Sequence, residues 1–401
     1  MIAGGGVAGV EAVMALRALA GGRVSITLVT PETEFVYRAM SVAEPFALGS
    51  AQRLPLEQIA HDFDVELIAD ELDSVATNSE CVVTYGLSEI PYDALLLATG
   101  ARPRPAWDHA LTFTGPRDAD AMGRLVREVS AGTVESLAFV VPSGVTWPLP
   151  LYELALMTAR RASEAGRAPE LALFTPEKHP LAIFGEEGWK AIASELEAAG
   201  VRVRCSTETE VTPDGDVVIP LEETPMRFER VVAVPRLEGK APRGVPRDDE
   251  GFIPIDTHGR VHGVKNLYAA GDGTNFPVKQ GGIAAQQADA VAEVIAKRAG
   301  APTDPQPFHG LLRSQLLTGR EPRFLRTDLS LRATTHSEAS ETPLWWPATK
   351  IVALHLAPYL AAQAMAAVGA GDSPEPSLEV SEEIRRVVFL PGDFENNPWG
   401  E

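Results

Sequence analysis

Three of the four glycines in the first nine residues constrain this chain more than any other feature. The stretch "IAGGGVAGVEA" places Gly4, Gly6 and Gly9 in the spacing G-x-G-x-x-G. Gly4 permits a tight turn, Gly6 lets a diphosphate approach the backbone, and Gly9 lets a helix pack closely on the preceding strand. Residues 8–20, rich in Ala, Val, Leu and Met, read as that helix, and "VSITLVT" reads as the next strand. The result is a βαβ unit with parallel strands. The free N–H groups around Val7 and Ala8 and the positive end of the helix dipole then face a diphosphate. Only Met1, Ile2 and Ala3 precede the first glycine, so the leading strand is expected to be short or trimmed. The acidic ribose ligand of such a unit normally ends the second strand. Thr30 stands there and Glu32 follows two residues on, either as that ligand or as a solvated loop charge.

The pattern recurs. "LAFVVP" (137–142), "LALFTP" (171–176), "VRVRC" (201–205) and "RVVAVPRL" (230–237) read as strands, with helices near 116–130, 150–165 and 187–199 between them. A weak likeness between residues 2–30 and 137–175 predicts two related dinucleotide-type domains. "DALLLATGARP" ends an apolar strand in Thr99-Gly100, with Arg102 just beyond; "LYAAGDGTN" does the same in Gly271-Asp272. Each is an ordinary strand exit by itself, and each also sets a polar group beside a bound nucleotide. The formal net charge of −20 opposes nucleic acid and anionic membranes, so an anionic cofactor must be held by local backbone dipoles. Cys81 and Cys205, the only cysteines, have neither disulfide-framework nor metal-ligand spacing, and no metal is expected. No signal peptide or membrane-length apolar run occurs, which makes a cytoplasmic setting the default.

In this order, the glycine fingerprint, A-T-G and A-x-G-D resemble the FAD-dependent pyridine nucleotide–disulfide oxidoreductase superfamily over residues 1 to about 325. The resemblance implies an α/β fold with two Rossmann-like dinucleotide-binding domains of the three-layer ββα type and a C-terminal α+β segment. It implies an FAD domain at 1–115 and 245–325, a second, NAD(P)-type domain with a degenerate fingerprint at 116–244, and an interface or capping domain at 326–401. FAD would lie extended across the first domain, with Asp272 on its ribitol. A helix starting near Ile283 would face the pyrimidine end of the ring, approached closely through Gly281 and Gly282. "EFVYRAMSVAEPFALG" is similar to the matching loop of sulfide:quinone reductases, flavocytochrome c sulfide dehydrogenases and type II NADH dehydrogenases. Arg38 in that loop is a candidate partner for the diphosphate, a surface arginine being the alternative.

Disulfide reductases of this superfamily carry an early C-x-x-x-x-C, which this chain lacks. In the second domain the turn reads Pro142-Ser143-Gly144-Val145-Thr146-Trp147-Pro148. Proline removes an N–H donor and Trp147 blocks close approach, so a standard NAD(P)H site is doubtful there. The frame resembles the sulfide-oxidising branch, but Trp147 replaces its reactive cysteine, which argues against sulfide oxidation. Lys279 and Gln280, next to the flavin edge by resemblance, and Trp147 and Trp346 are the catalytic-site candidates; Trp345 is expected beside them, covering the ring or lining an acceptor channel. Gln286 and Gln287 leave a quinone site open. The apolar stretch after Pro347 reads as a core or homodimer helix, with membrane contact the less favoured reading. The expectation is an FAD-dependent oxidoreductase passing electrons from a small-molecule donor to an acceptor. An NAD(P)H:acceptor reductase with non-standard contacts and a non-catalytic sensor flavoprotein are the alternatives.

Overall fold

The computed structural model describes residues 1–220, 224–329 and 337–368. Two five-stranded, wholly parallel sheets form its frame. The first runs in the order Leu267–Ala269, Leu95–Leu97, Ile2–Ala3, Ile26–Val29, Val65–Ile68. The second runs Leu111–Thr112, Arg230–Ala233, Ser136–Val140, Glu170–Phe174, Val201–Arg204. In each, the strand that opens a βαβ unit sits in the middle, with the next two strands on one side. The near-continuous apolar runs follow from burial on both faces, as parallel sheets require. The expected α/β fold with two Rossmann-like sheets is therefore present.

Helix Val7–Ala20 packs against the long helix Gly281–Arg298 through Ala8, Ala12, Ala15, Ala284, Ala285, Ala288 and Ala292. Small residues let the two helices approach closely. An antiparallel meander, Leu72–Ala76, Cys81–Thr84 and Glu89–Pro91, supplies the third layer of the first unit.

Three expectations need correction. "RVVAVPRL" is not one strand: Arg230–Ala233 stays in the second sheet, whereas Arg236–Gly239 pairs antiparallel with Ala101–Arg104. Pro235 separates the two and lacks the N–H that a continuous ladder needs. Leu111–Thr112, expected within the first domain, pairs with Arg230–Ala233 in the second sheet. The boundary expected at 326 falls inside strand Arg323–Asp328, part of an antiparallel sheet with Leu311–Leu316 and Ser337–Ser340. Helix Leu356–Val368 buries Leu356, Ala357 and Leu360 against the first helix, as a core helix does. Among the described residues no helix is long and apolar enough to cross a membrane. Residues 369–401 of the expected capping domain lie outside the described residues.

Candidate cofactor site

The carboxyl ends of the first sheet meet at one point. Gly4 has φ +113°, and a Cβ there would lie 2.3 Å from the Ala98 carbonyl oxygen and 3.1 Å from the Thr99 nitrogen. A Cβ on Gly9 would lie 1.9 Å from the Gly4 carbonyl oxygen, so the turn and the helix fit together only as glycines. Gly6 differs: it caps helix Val7–Ala20 without a side-chain bond, and no atom lies within 4 Å of where its Cβ would be. The turn is thus closed toward the protein and open toward a ligand at the helix N-terminus. Gly5 donates its N–H to Thr30 Oγ1 at 3.2 Å, and that hydroxyl donates to Glu32 Oε2 at 2.5 Å. Glu32 itself is exposed, held at the rim of the glycine turn.

Gly100 (φ +68°) adjoins Gly273, whose Cβ would lie 3.1 Å from the Gly100 carbonyl oxygen. Gly271 (φ +83°) faces Ala8 and Ala284, and its N–H donates to Oε1 of the buried Gln287 at 2.7 Å. That bond fixes the next residue, the half-buried Asp272. Burial raises the Asp272 carboxyl above its ordinary range, offset by the charges of Lys279 and Arg38, which places all three groups in one electrostatic neighbourhood. Lys279 donates to the Thr274 carbonyl and lies 3.7 Å over the Phe252 ring. Burial pushes its ammonium down to about 8, opposed by Asp272, Asp248 and Glu250. Arg38 is exposed at the start of the turn Arg38–Phe46, and Arg102 is exposed on the antiparallel ribbon.

The structure gives other work to several residues singled out above. The long helix begins at Gly281, and Gln280 is its N-cap: Oε1 accepts from the Ile283 N–H at 2.8 Å and Nε2 donates to the Arg313 carbonyl at 3.2 Å. Gln280 and Ile283 therefore satisfy each other. The close approach that Gly281 and Gly282 permit is to Ile351 and the Val352 carbonyl. Gln286 bonds the Gly282 and Leu311 carbonyls and the Leu311 N–H, so both glutamines are used internally. Trp147 packs edge-on against Phe184 at 5.9 Å, and Trp345 against Phe324 at 5.3 Å, while Trp346 is 57% exposed. The first two pack against core clusters, and Trp345 also borders a concave surface with Trp346.

The second sheet repeats four strands of the first but joins strand to helix by a different turn. Three residues, Gly4–Gly6, join strand to helix in the first unit; eight, 141–148, do so in the second. Thr30-Pro31-Glu32 has a counterpart in Thr175-Pro176-Glu177, again after the second strand and again with the threonine hydroxyl on the glutamate. The same Thr-Pro-Glu triplet stands in the sequence at both corners. Glu177 also accepts a 2.7 Å bond from the hydroxyl of the fully buried Tyr152, whereas Glu32 is exposed and bonded to Thr30. Burial raises the carboxyl of Glu177, and burial and Glu177 together raise the thiol of Cys205 beside it, the opposite of what a reactive thiolate needs.

The C-terminal segment reaches both helices at matching positions. Glu11 and Glu153, each the fifth residue of its helix, are fully buried. Glu11 accepts from the His355 and Leu356 N–H groups at 2.8 and 2.7 Å; Glu153 accepts from Leu317 N–H at 2.8 Å and pairs with the buried Lys350 at 2.6 Å. Burial raises both carboxyls, Glu11 to about 7 beside Asp289. Glu11, Asp289 and His355 bring one ligand-type atom each within 4.8 Å of one another, but both Glu11 oxygens already cap the helix Leu356–Val368.

Comparison with known proteins agrees with this frame. A family model described as pyridine nucleotide-disulphide oxidoreductase matches residues 1–292. A sulfide:quinone oxidoreductase from the hyperthermophilic bacterium Aquifex aeolicus superposes with TM-score 0.75 at 19% identity, over 84% of this chain and 86% of that one. A ferredoxin reductase from Rhodopseudomonas palustris gives 0.61 at 18%, over 82% and 81%. An NAD-dependent persulfide reductase from A. fulgidus gives 0.59 at 18%, over 82% and 63%. At these identities the likeness is one of fold. A search of curated protein sequences returns no significant match.

Proposed function

The chain belongs to the pyridine nucleotide-disulphide oxidoreductase family, whose members are flavin-dependent oxidoreductases, and on that premise we propose that it binds FAD in the first unit and moves electrons from a small-molecule donor to an acceptor, a quinone being one candidate. The carrying observation is the turn Gly4–Gly9, closed to the protein and open at Gly6, with Glu32, Arg38, Asp272 and Lys279 around it. These residues fit the cofactor. N–H groups at Gly6, Val7 and Ala8 would hold the diphosphate, with Arg38 as counter-charge. Glu32 would take the ribose and Asp272 the ribitol. Thr99 and Gly100 would line the cradle, with Gly271 and Gly273 supporting it. FAD, when bound, supplies two-electron acceptance and return. Lys279 keeps a positive charge nearby below pH about 8, which favours negative charge building in the site.

Tyr152 at Glu177, Pro142 and Pro148 support a second cleft that does not take NAD(P)H. Trp147, where the sulfide-oxidising branch keeps a cysteine, supports a donor other than sulfide. Anaerobic stopped-flow absorbance near ~450 nm, the oxidised flavin band, tests the proposal with NADH, NADPH and sulfide mixed in separately. The expected result is a yellow protein that none of the three bleaches quickly. Fast bleaching by a nicotinamide would make this an NAD(P)H:acceptor reductase. A colourless protein that FAD cannot reconstitute would overturn the reading.

A further inference from the structure

Strand Leu311–Leu316 turns Leu312 and Leu316 into the large core, together with Leu325 of its neighbour. Alternation then puts Arg313 and Gln315 on the opposite face. The register pairs Arg313 with Arg326 and Gln315 with Phe324, so those four share that face. Phe324 meets Trp345 edge-on and clusters with Val352, Leu344 and Ala348. Arg313 therefore projects into the layer between this sheet and segment 344–352.

Arg313 is only 8% exposed. Among the described residues its guanidinium makes no hydrogen bond and no ion pair. Its charged neighbour is another cation, Arg326, which has its own partner in Glu338 at 2.7 Å. Burial, with Arg326, pushes Arg313 down to about 10. Buried arginines are almost always paired, because an uncompensated charge is costly to desolvate. The Arg313 carbonyl also accepts from Gln280, the cap of the long helix, which ties this strand to that helix's N-terminus. On the same side Pro343, Leu344, Trp345 and Trp346 line a concave surface. In a chain of net charge −20 the overall field repels anions, so an anionic ligand needs a buried local cation.

We propose that Arg313 is an anion-recognition residue, and that the small molecule exchanging electrons at this site carries a carboxylate on an apolar, ring-sized body. The guanidinium fork takes a carboxylate bidentately, and the tryptophan surface takes the body. This deepens the flavoprotein reading and rests on it for the ligand's role, though not for its binding.

The test is calorimetric titration of the full chain with benzoate, and with benzyl alcohol as its uncharged counterpart. Flavin absorbance and Tm are recorded on every sample. Benzoate should saturate the wild type and raise its Tm, and benzyl alcohol should not. Arg313→Met should weaken benzoate at least about tenfold, the loss of a charge-assisted pair, while Arg313→Lys keeps part of the affinity. Without benzoate, Arg313→Met should melt at or above the wild-type temperature, because an unpaired buried charge has gone. No saturable benzoate binding by the wild type would overturn the proposal. So would equal affinity in Arg313→Met, or a shifted flavin potential in that variant with benzoate binding intact. Absence of flavin from the wild type would sink the FAD reading instead, and the benzoate titration would still decide on Arg313.

Discussion

The two parallel units share the order of four strands, a Thr-Pro-Glu corner and a buried glutamate at the fifth helix position, yet they join strand to helix by different turns. In the first, three glycine residues bring the helix N-terminus to the sheet edge and leave Gly6 uncovered. In the second, an eight-residue linker carries two prolines, and Tyr152 bonds the corner glutamate. Scaffold and ligand contacts in such a fold use different atoms, so one can change without the other. Strand pairing and helix packing need apolar side chains; the diphosphate needs bare backbone.

The sharpest way to break this contrast is a single methyl group in each turn. Gly9→Ala sets a Cβ 1.9 Å from a carbonyl oxygen and should cost about 3 kcal/mol or more, with loss of flavin absorbance in the purified protein. Gly144→Ala meets open space; its positive φ should cost about 1 kcal/mol, with the flavin retained. Equal outcomes would erase the distinction. Next in size, Lys350→Met strands the buried Glu153 and should lose about 3–5 kcal/mol in urea denaturation. The double variant with Glu153→Gln should recover most of that, since no unpaired charge remains.

Smaller effects should separate the two corners. Tyr152→Phe should cost about 1–2 kcal/mol of stability, the bond to Glu177, and leave flavin affinity unchanged. Glu32→Gln should do the reverse: similar stability, and FAD bound roughly 5–30-fold more weakly for about 1–2 kcal/mol. The smallest effect is a pH profile. Lys279 is held at about 8 against 10.5 for the free side chain. Its folded form disfavours the proton, so the stability penalty is full below pH 8 and lifts as pH rises toward 10.5. Flavin reduction should slow by a few-fold through pH 8 as the charge is lost, and Lys279→Met should flatten that step in stopped-flow traces.

The open cleft was legible because its contacts are written as missing side chains: Gly4, Gly6 and Gly9 declare their geometry in any context. The degenerate turn at 142–148 was legible for the same reason, since Pro142 and Trp147 declare what cannot approach. Gln280 was not. Its capping role depends on strand Leu311–Leu316 bringing the Arg313 carbonyl alongside, a contact between residues 33 positions apart. Arg313 was hidden too, because "LLRSQL" does not say which face meets the core. Trp345 and Trp346 read as a pair, yet one is packed on Phe324 and the other faces solvent.

One consequence follows from the short run between Lys350 and Leu356. It is pinned to the second unit through Glu153, and to the first through Glu11 and through Tyr37, whose hydroxyl accepts the Ile351 N–H at 2.6 Å. A tie this short across two bodies acts as a brace. Swinging one body against the other would break a buried ion pair and uncap a helix together, so hinge closure is an expensive way to admit a substrate. Traffic to the site should instead depend on side chains at its rim, and turnover should be insensitive to crosslinks that freeze the two halves in place.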